Sequence, residues 1–152
     1  MTQAATTRFK TFMYDTAILW ANGRQGTLSA EGKPSLAVAS PPEFKGIPGV
    51  WTPEDLLVAS IESCQMTTFL ALAARAGLQL RRYRSSARGI LENPGDGYRF
   101  TSVEVQPHIV AAHGTEVGTV EELVRQAHSL CLVSRSVTCS VIVRPEITTE
   151  EE

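Results

Sequence analysis

The sequence predicts an α+β fold in which blocks of β-strands lie on both sides of a buried helix. Apolar residues recur at every second position in several segments, which is typical of strands. A long apolar segment with helix start and stop signals lies between them. With 152 residues, 43% of them apolar and 20% charged, the chain has the length of one domain, 1–152, and enough apolar side chains for a sizeable core.

The first third of the chain predicts short strands joined by turns. The first strand is expected to carry on one face Phe12, Tyr14, Thr16, Ile18 and Trp20. A turn follows at residues 22–26, where glycine supplies the positive φ of a tight reversal. Short strands are predicted near 27–30 and 35–39, and the Pro/Gly-rich segment 40–51 is predicted to be an irregular loop.

The strongest helix signal begins at Thr52, which suits the N-cap. Pro53 fits the first helical position, and Asp55 stands where a capping-box acid belongs. No helix breaker follows until Gly77, a natural C-terminal stop. Because nearly every face of this helix is apolar, we expect it to run through the core.

The remaining chain predicts two long strands, a second helix and a last strand. The long strands span 79–92 and 98–112 around a turn at 93–97, and Pro107 indicates an edge strand or a bulge. Thr119 and Glu122 predict a second capping box. One face of that helix is expected to carry Val120, Leu123, Val124, Ala127 and Cys131. A last strand is predicted over 137–143, and residues 148–152 are expected to form a frayed acidic tail.

Charge and composition exclude several classes of protein. Fourteen basic against sixteen acidic residues give a net charge of −2, which argues against a polyanion partner. A group of arginines is therefore interpreted as a solvated strand face and not as a nucleic-acid site: Arg75, Arg81, Arg82, Arg84 and Arg88. No apolar run is expected to reach the ~20 residues of a membrane span, and the N-terminus lacks a secretory pattern. Three cysteines without a CxxC pair predict a reducing cytoplasm.

The three cysteines differ in their surroundings. Cys139 alternates with valines and is interpreted as a small buried hydrophobic residue. Cys64 lies in the long helix among unusually polar neighbours, and composition alone leaves a buried structural thiol as an open alternative to a reactive one. Cys131 lies at the end of the second helix, where it can face another element.

A reactive cysteine must be a thiolate, so Cys64 requires a stabilising group. The helix start is too distant for its dipole to stabilise the Cys64 thiolate. The best candidate for a stabilising cation is Arg24 in the turn GRQG. The alternative is that Arg24 is simply a solvated arginine at the tip of a turn. Glu54 could hold that guanidinium in a bidentate pair. Glu54 lies about 15 Å along the same helix from Cys64. Either the helix is broken or Glu54 reaches the Cys64 of a second chain.

Together these pieces resemble the OsmC/Ohr family of osmotically inducible and organic hydroperoxide resistance proteins. The resemblance rests on GRQG, on TPEDLLVASIESC with its Glu54-x9-Cys64 spacing, and on AHSLC at the end of the second helix. It extends over nearly the whole chain. The chain departs from the family at Leu132, where many members have proline, and at Gln65 and Met66, where the Ohr branch often has bulky apolar residues. The resemblance therefore gives the family and not the subfamily.

The resemblance implies an OsmC-like intertwined homodimer with antiparallel sheets wrapped around a long central helix and active sites at the subunit interface. It assigns Cys64 as peroxidatic cysteine, Cys131 as resolving cysteine, Arg24 as the activating arginine and Glu54 as its salt-bridge partner. The implied activity is a thiol-dependent peroxidase that reduces organic hydroperoxides through a Cys64 sulfenic acid and a Cys64–Cys131 disulfide, with hydrogen peroxide as a second candidate substrate. The implied reductant is a dithiol such as dihydrolipoamide or a lipoylated protein. No cofactor, metal, nucleic acid or membrane partner is implied.

Two other functions remain open from the residues. His128 and Cys131 share a helical face. With Cys64 they could form a zinc site, although the ligand spacing matches no recognised pattern. Alternatively, His128 could be the base of a Cys–His hydrolase. The apolar helix could also bind a small hydrophobic molecule without peroxidase turnover.

Overall fold

The computed structural model describes residues 9–151 and confirms the α+β prediction. The chain divides into two compact units, one ending at Pro53 and the other beginning at Glu54. The single domain expected over 1–152 stays a prediction, and the two units are described separately.

The first unit contains an antiparallel three-stranded sheet in the order β1-β2-β3. Its strands are β1 (Ala17–Asn22), β2 (Gln25–Ser29) and β3 (Leu36–Ala39). The predicted turn is present: Gly23 has φ 49°, and the Trp20 indole donates to its carbonyl at 3.0 Å. The expected start of β1 near Phe12 is wrong, because the pairing with β2 reaches back only to Ala17. A 3-10 turn at Pro42–Phe44 adds order to the loop predicted to be irregular.

The N-terminal part of the first unit exposes large apolar side chains. Between 67% and 87% of the surface of each is exposed in Phe9, Phe12, Met13, Tyr14, Ile18, Leu19 and Trp20. Scattered apolar residues are normal on a protein surface, whereas these seven all fall within residues 9–20.

The second unit contains both long helices and a mixed four-stranded sheet. Its elements are α1 (Pro53–Arg75), β4 (Leu80–Glu92), β5 (Arg99–Ala111), α2 (Val117–Leu130), β6 (Ser140–Val143) and β7 (Glu146–Thr149). β4 pairs antiparallel with β5, whereas β6 and β7 both run parallel to β5. The expectation of purely antiparallel sheets is therefore wrong for this unit.

The helix α1 begins and ends where the sequence predicts. Pro53 is its first residue, and Gly77 beyond its end adopts φ 69°, the left-handed conformation that closes a helix. Its buried residues follow a spacing of four along one face, namely Ile61, Gln65, Phe69 and Ala73. Within one chain α1 is therefore buried along a stripe and not all round.

The expectation that no segment could span a membrane needs correction. By length and composition alone, α1 is apolar enough to cross a bilayer. Core helices of water-soluble proteins have the same composition, because a helix that is apolar on most faces also suits a protein interior.

The core of the second unit has two clusters. One is formed by α1, β5 and α2, and it contains four residues of the predicted face of α2: Val120, Leu123, Val124 and Ala127. Cys131, the fifth residue of that face, is also fully buried. The other joins Ile61 of α1 to Val103 and Val105 of β5. Phe69 and Tyr83 connect α1 to β4 with ring centroids 5.7 Å apart.

Three local predictions in this unit are wrong. Pro107 lies on the central strand β5 and not on an edge strand. Residues 102–105 of β5 pair with β6 and residues 108–111 pair with β7. Because Pro107 lies between these two sets, its missing N–H costs no hydrogen bond to β6 or β7. The second helix starts at Val117 with Glu116 as N-cap, so Thr119 is already inside the first turn and forms no capping box. Residues 148 and 149 pair with β5 in β7 and are not frayed.

Candidate functional site

Cys64 and Cys131 are brought together by helix α1 and the end of helix α2. Cys64 lies midway along α1, beside the buried stripe. Cys131 is the C-cap residue of α2 and is fully buried. Both are free thiols, and the Cys131 thiol is within hydrogen-bonding reach of the Cys64 sulfur. The two sulfurs that the sequence pairs only by resemblance are therefore neighbours in the folded chain.

The pKa of the Cys64 thiol is lowered by hydrogen-bond donors from its own unit. Burial alone would raise its pKa, but the backbone N–H of Val133, the Cys131 thiol, Thr68 and the backbone N–H of Leu132 donate to its sulfur, and together they hold the pKa below the ordinary value of 9.0. A donor lowers a thiol pKa because it stabilises the charged form. The chain turns sharply after Cys131, whose backbone is extended, and this turn points the two N–H groups at Cys64.

The Cys131 thiol is shifted in the opposite direction. Burial raises its pKa, the Ser134 side chain lowers it, and the hydrogen bond and negative charge of Cys64 raise it. The Ser134 hydroxyl donates to the Cys131 sulfur at 3.1 Å and its backbone N–H at 3.4 Å. The segment 132–134 thus divides its N–H groups between two sulfurs, two for Cys64 and one for Cys131.

Gln65 connects the two helices behind the sulfurs. It is 3% exposed, and its side-chain amide nitrogen lies 3.1 Å from Ser134 Oγ and 3.2 Å from His128 Nδ1. The sequence indicated Gln65 as a polar neighbour of Cys64 and as a departure from the family pattern, but it gave no role to Ser134. The usable signal was a polar residue next to each cysteine in otherwise apolar surroundings, which indicates a buried hydrogen-bond network.

The structure places the predicted arginine and glutamate in different units. Arg24 lies in the turn between β1 and β2, and its guanidinium donates to the carbonyl of Phe44. Glu54 lies in the first turn of α1. One of its carboxylate oxygens, Oε2, is buried without a hydrogen-bond partner among residues 9–151. Since α1 is unbroken between Glu54 and Cys64, these two side chains of one chain stay about 15 Å apart along the helix.

Cys139 and His128 contact residues other than Cys64 and Cys131. Cys139 packs against Ile61, Val103 and Val105, in agreement with its interpretation as a small hydrophobic residue. Within the described chain, the hydrogen bond of the His128 ring goes to Gln65 and not to a sulfur, which gives a Cys–His hydrolase no support. No group of three or more metal-binding side chains is found in residues 9–151.

A surface cavity of about 380 Å³ lies apart from the cysteines, on β4 and β5. Its lining mixes the apolar residues Ala87 and Ile90 with polar and charged ones, among them Arg88, Glu104 and Gln106.

Comparisons with known proteins agree with the fold. The family profile described as OsmC-like protein matches residues 46–146. The uncharacterized protein YmaD of Bacillus subtilis is 25% identical over 133 residues, covering 84% of this chain and 87% of that one. An OsmC-like protein of unknown function from Vibrio cholerae superimposes with a TM-score of 0.83 at 21% identity, over 90% of this chain and 100% of that one. An organic hydroperoxide resistance protein from Legionella pneumophila gives 0.70 at 23% identity, over 94% and 100%. The fold and the match over two thirds of the sequence establish that this chain belongs to the family of OsmC-like proteins.

Proposed function

We propose that the protein is a thiol-dependent peroxidase in which Cys64 reduces organic hydroperoxides and Cys131 resolves the oxidised cysteine. The observation that carries this proposal is the contact between two free thiols of opposite pKa shift, one favoured as thiolate and the other as thiol. A nucleophile with a lowered pKa beside a protonated partner is the arrangement that such a reaction requires. The name of the Legionella relative supports an organic hydroperoxide as substrate.

The reaction follows from the two sulfurs. The Cys64 thiolate attacks one peroxide oxygen, the O–O bond breaks, and the alkoxide leaves and takes up a proton, which gives Cys64 sulfenic acid and an alcohol. The Cys131 sulfur then attacks the sulfenic sulfur, and water leaves as the disulfide forms. An external dithiol reduces this disulfide by exchange and becomes oxidised.

The accessible end of the disulfide determines where the reductant attacks. Cys131 is fully buried, whereas Cys64 is partly exposed. The incoming dithiol, which we propose to be dihydrolipoamide or a lipoylated protein, therefore attacks Cys64 and releases Cys131. Three cysteines without a CxxC pair fit a reducing compartment, and we propose that the protein lies in the cytoplasm.

We further propose that Arg24 and Glu54 complete the site in a homodimer. A buried carboxylate oxygen without a partner is costly and calls for a donor such as a guanidinium. The exposed apolar residues of the first unit offer a surface that a second copy of the chain would cover. In this arrangement Glu54 of one chain would serve the Cys64 of the other through Arg24, which would stabilise charge on the leaving oxygen.

The test is a count of thiols before and after one equivalent of cumene hydroperoxide. We expect wild-type protein to lose two thiols per chain and to recover both with a dithiol. Cys64→Ser should consume no peroxide, whereas Cys139→Ala, the matched control at the third cysteine, should behave as wild type.

Equal peroxide consumption by wild type and Cys64→Ser would overturn the proposal. Loss of no thiols in the wild type would instead favour a ligand-binding protein without turnover. An acyl-enzyme burst with an activated ester and no peroxide consumption would favour a hydrolase.

A further inference from the structure

Ser134 is arranged to act on the resolving cysteine. It contacts the Cys131 sulfur with both its hydroxyl, at 3.1 Å, and its backbone N–H, at 3.4 Å. The position is fixed by the 3-10 turn Ser134–Ser136, in which Arg135 N donates to the Cys131 carbonyl at 3.1 Å. The two donors therefore stay on the sulfur without a long flexible side chain.

Gln65 determines the direction of the Ser134 hydroxyl. The amide nitrogen of Gln65 only donates hydrogen bonds, so Ser134 Oγ must accept at the 3.1 Å contact between them. The hydroxyl proton is then free to point at Cys131 Sγ. His128 Nδ1 accepts the second amide proton at 3.2 Å, which anchors Gln65 between the two helices.

The Ser134 donors can assist the step in which Cys131 attacks the oxidised Cys64. In the reduced protein the Cys131 thiol donates a hydrogen bond to Cys64, which keeps Cys131 in its protonated form. When Cys64 becomes a neutral sulfenic acid, its negative charge disappears and the two Ser134 donors remain. Hydrogen bonds of this kind favour the charged form of a thiol, and the attacking form of Cys131 is the thiolate.

We propose that Ser134 is a further catalytic residue, whose hydroxyl and N–H hold the Cys131 sulfur during its attack on Cys64 sulfenic acid, and that Gln65 is the positioning residue that aims the hydroxyl. In this step a sulfur–sulfur bond forms and the sulfur–oxygen bond of the sulfenic acid breaks. The hydroxide leaves with the thiol proton as water, so no further oxidant or reductant is needed. The proposal rests on the peroxidase function proposed above.

The first experiment needs no peroxide. In a Cys64→Ser background, the ultraviolet absorbance of the Cys131 thiolate is titrated against pH, with Cys64→Ser/Cys131→Ser as the blank. Adding Ser134→Ala should raise the titration midpoint by about one pH unit, the equivalent of one charge-assisted hydrogen bond. Ser134→Thr keeps a hydroxyl and should restore the midpoint, and Gln65→Leu should raise it by a smaller amount.

The second experiment follows one turnover with cumene hydroperoxide in the otherwise unchanged protein. Ser134→Ala should leave the rate of Cys64 oxidation as in wild type and slow disulfide formation roughly tenfold. Mass spectrometry should then show more Cys64 sulfinic acid at excess peroxide. Thermal unfolding shows whether each variant is folded. If Ser134→Ala does not fold, the same two measurements are made on Ser134→Thr and Gln65→Leu.

The outcomes separate the two proposals. An unchanged titration midpoint, together with an unchanged rate of disulfide formation, overturns the role of Ser134 and leaves the peroxidase intact. A wild-type protein that consumes no peroxide overturns the peroxidase and the catalytic role of Ser134 with it. In that case a raised midpoint would show only a hydrogen bond to a structural thiol.

Discussion

The turn after α2 and the first turn of α1 both carry residues of the candidate site. Only the turn after α2 has all its hydrogen-bond partners within the described part of one chain. In segment 132–134 each of the three N–H groups donates to a sulfur. In the first turn of α1, Glu54 keeps a buried carboxylate oxygen that finds no partner in residues 9–151. The sulfur chemistry is therefore built by one chain, and the carboxylate requires a group from elsewhere.

This difference separates two tasks within the site. The donors on Cys64 and Cys131 decide which sulfur is ionised, and they lie on elements that share one core cluster. The pairing of Glu54 would decide how an arginine meets the substrate, and we propose that it depends on assembly. Variants on the two sides should therefore fail in different ways.

The largest effect is expected on the sulfur side. Cys131→Ser should not sustain turnover, because no neighbouring thiol remains to condense with the sulfenic acid: one equivalent of peroxide per chain forms the sulfenic acid, and a second is consumed when that acid is overoxidised. Mass spectrometry should find Cys64 as sulfinic acid after excess peroxide. Multiple turnover at the wild-type rate with a dithiol would show that the external thiol reduces Cys64 directly and that Cys131 is dispensable.

On the carboxylate side, Glu54→Leu should lower peroxide consumption by roughly tenfold, or about 1.4 kcal/mol of activation free energy. The arginine would lose the partner that orients it. The decisive measurement is a mixed dimer of Glu54→Leu with Cys64→Ser, purified by two different tags. If Glu54 acts across the interface, one of the two sites contains both intact residues.

The mixed dimer should then recover about half of the wild-type activity, although each parent is impaired. The control is a mixed dimer of Glu54→Leu with Cys139→Ala. If Glu54 acts across the interface, this dimer also contains one complete site, formed by Cys64 of the Glu54→Leu chain and Glu54 of the Cys139→Ala chain. Activity of the first mixture at about half the level of the Glu54→Leu dimer would place Glu54 and Cys64 of one chain in the same site, against the geometry of an unbroken α1.

Sequence alone predicts the regular elements of this chain well where the signal is local. The bounds of α1 follow from Pro53 and Gly77, which act through backbone geometry within a few residues. The start of α2 was wrong, because Thr119 and Glu122 also occur inside a first turn, and only the path of the preceding chain decides. The parallel pairing of β6 and β7 with β5 depends on contacts distant in sequence.

The candidate site shows the same limit. The sequence neighbours of Cys64 and Cys131 distinguish them from Cys139. That Cys64 and Cys131 lie close together was implied only by the family resemblance. The donors that lower the pKa of Cys64 are largely backbone N–H groups of residues 132 and 133. Every residue except proline has such a group, so no residue type marks it. Ser134 and Gln65 carry recognisable side chains, yet only the fold places them on one sulfur.

The smallest expected effect concerns the donors themselves, measured by the pH dependence of Cys64 alkylation with iodoacetamide and peptide mass spectrometry. Because the pKa of folded Cys64 is lowered, the midpoint should lie below that of the urea-denatured chain. The stabilisation from this thiolate is present above the unfolded-state pKa and is lost as the pH falls through the folded-state pKa. Thr68→Val should raise the midpoint only slightly, since Thr68 Oγ1 lies 3.9 Å from the sulfur. A folded midpoint at or above the denatured one would show that burial outweighs the donors, and Cys64 would then lack the lowered pKa that the proposed nucleophile needs.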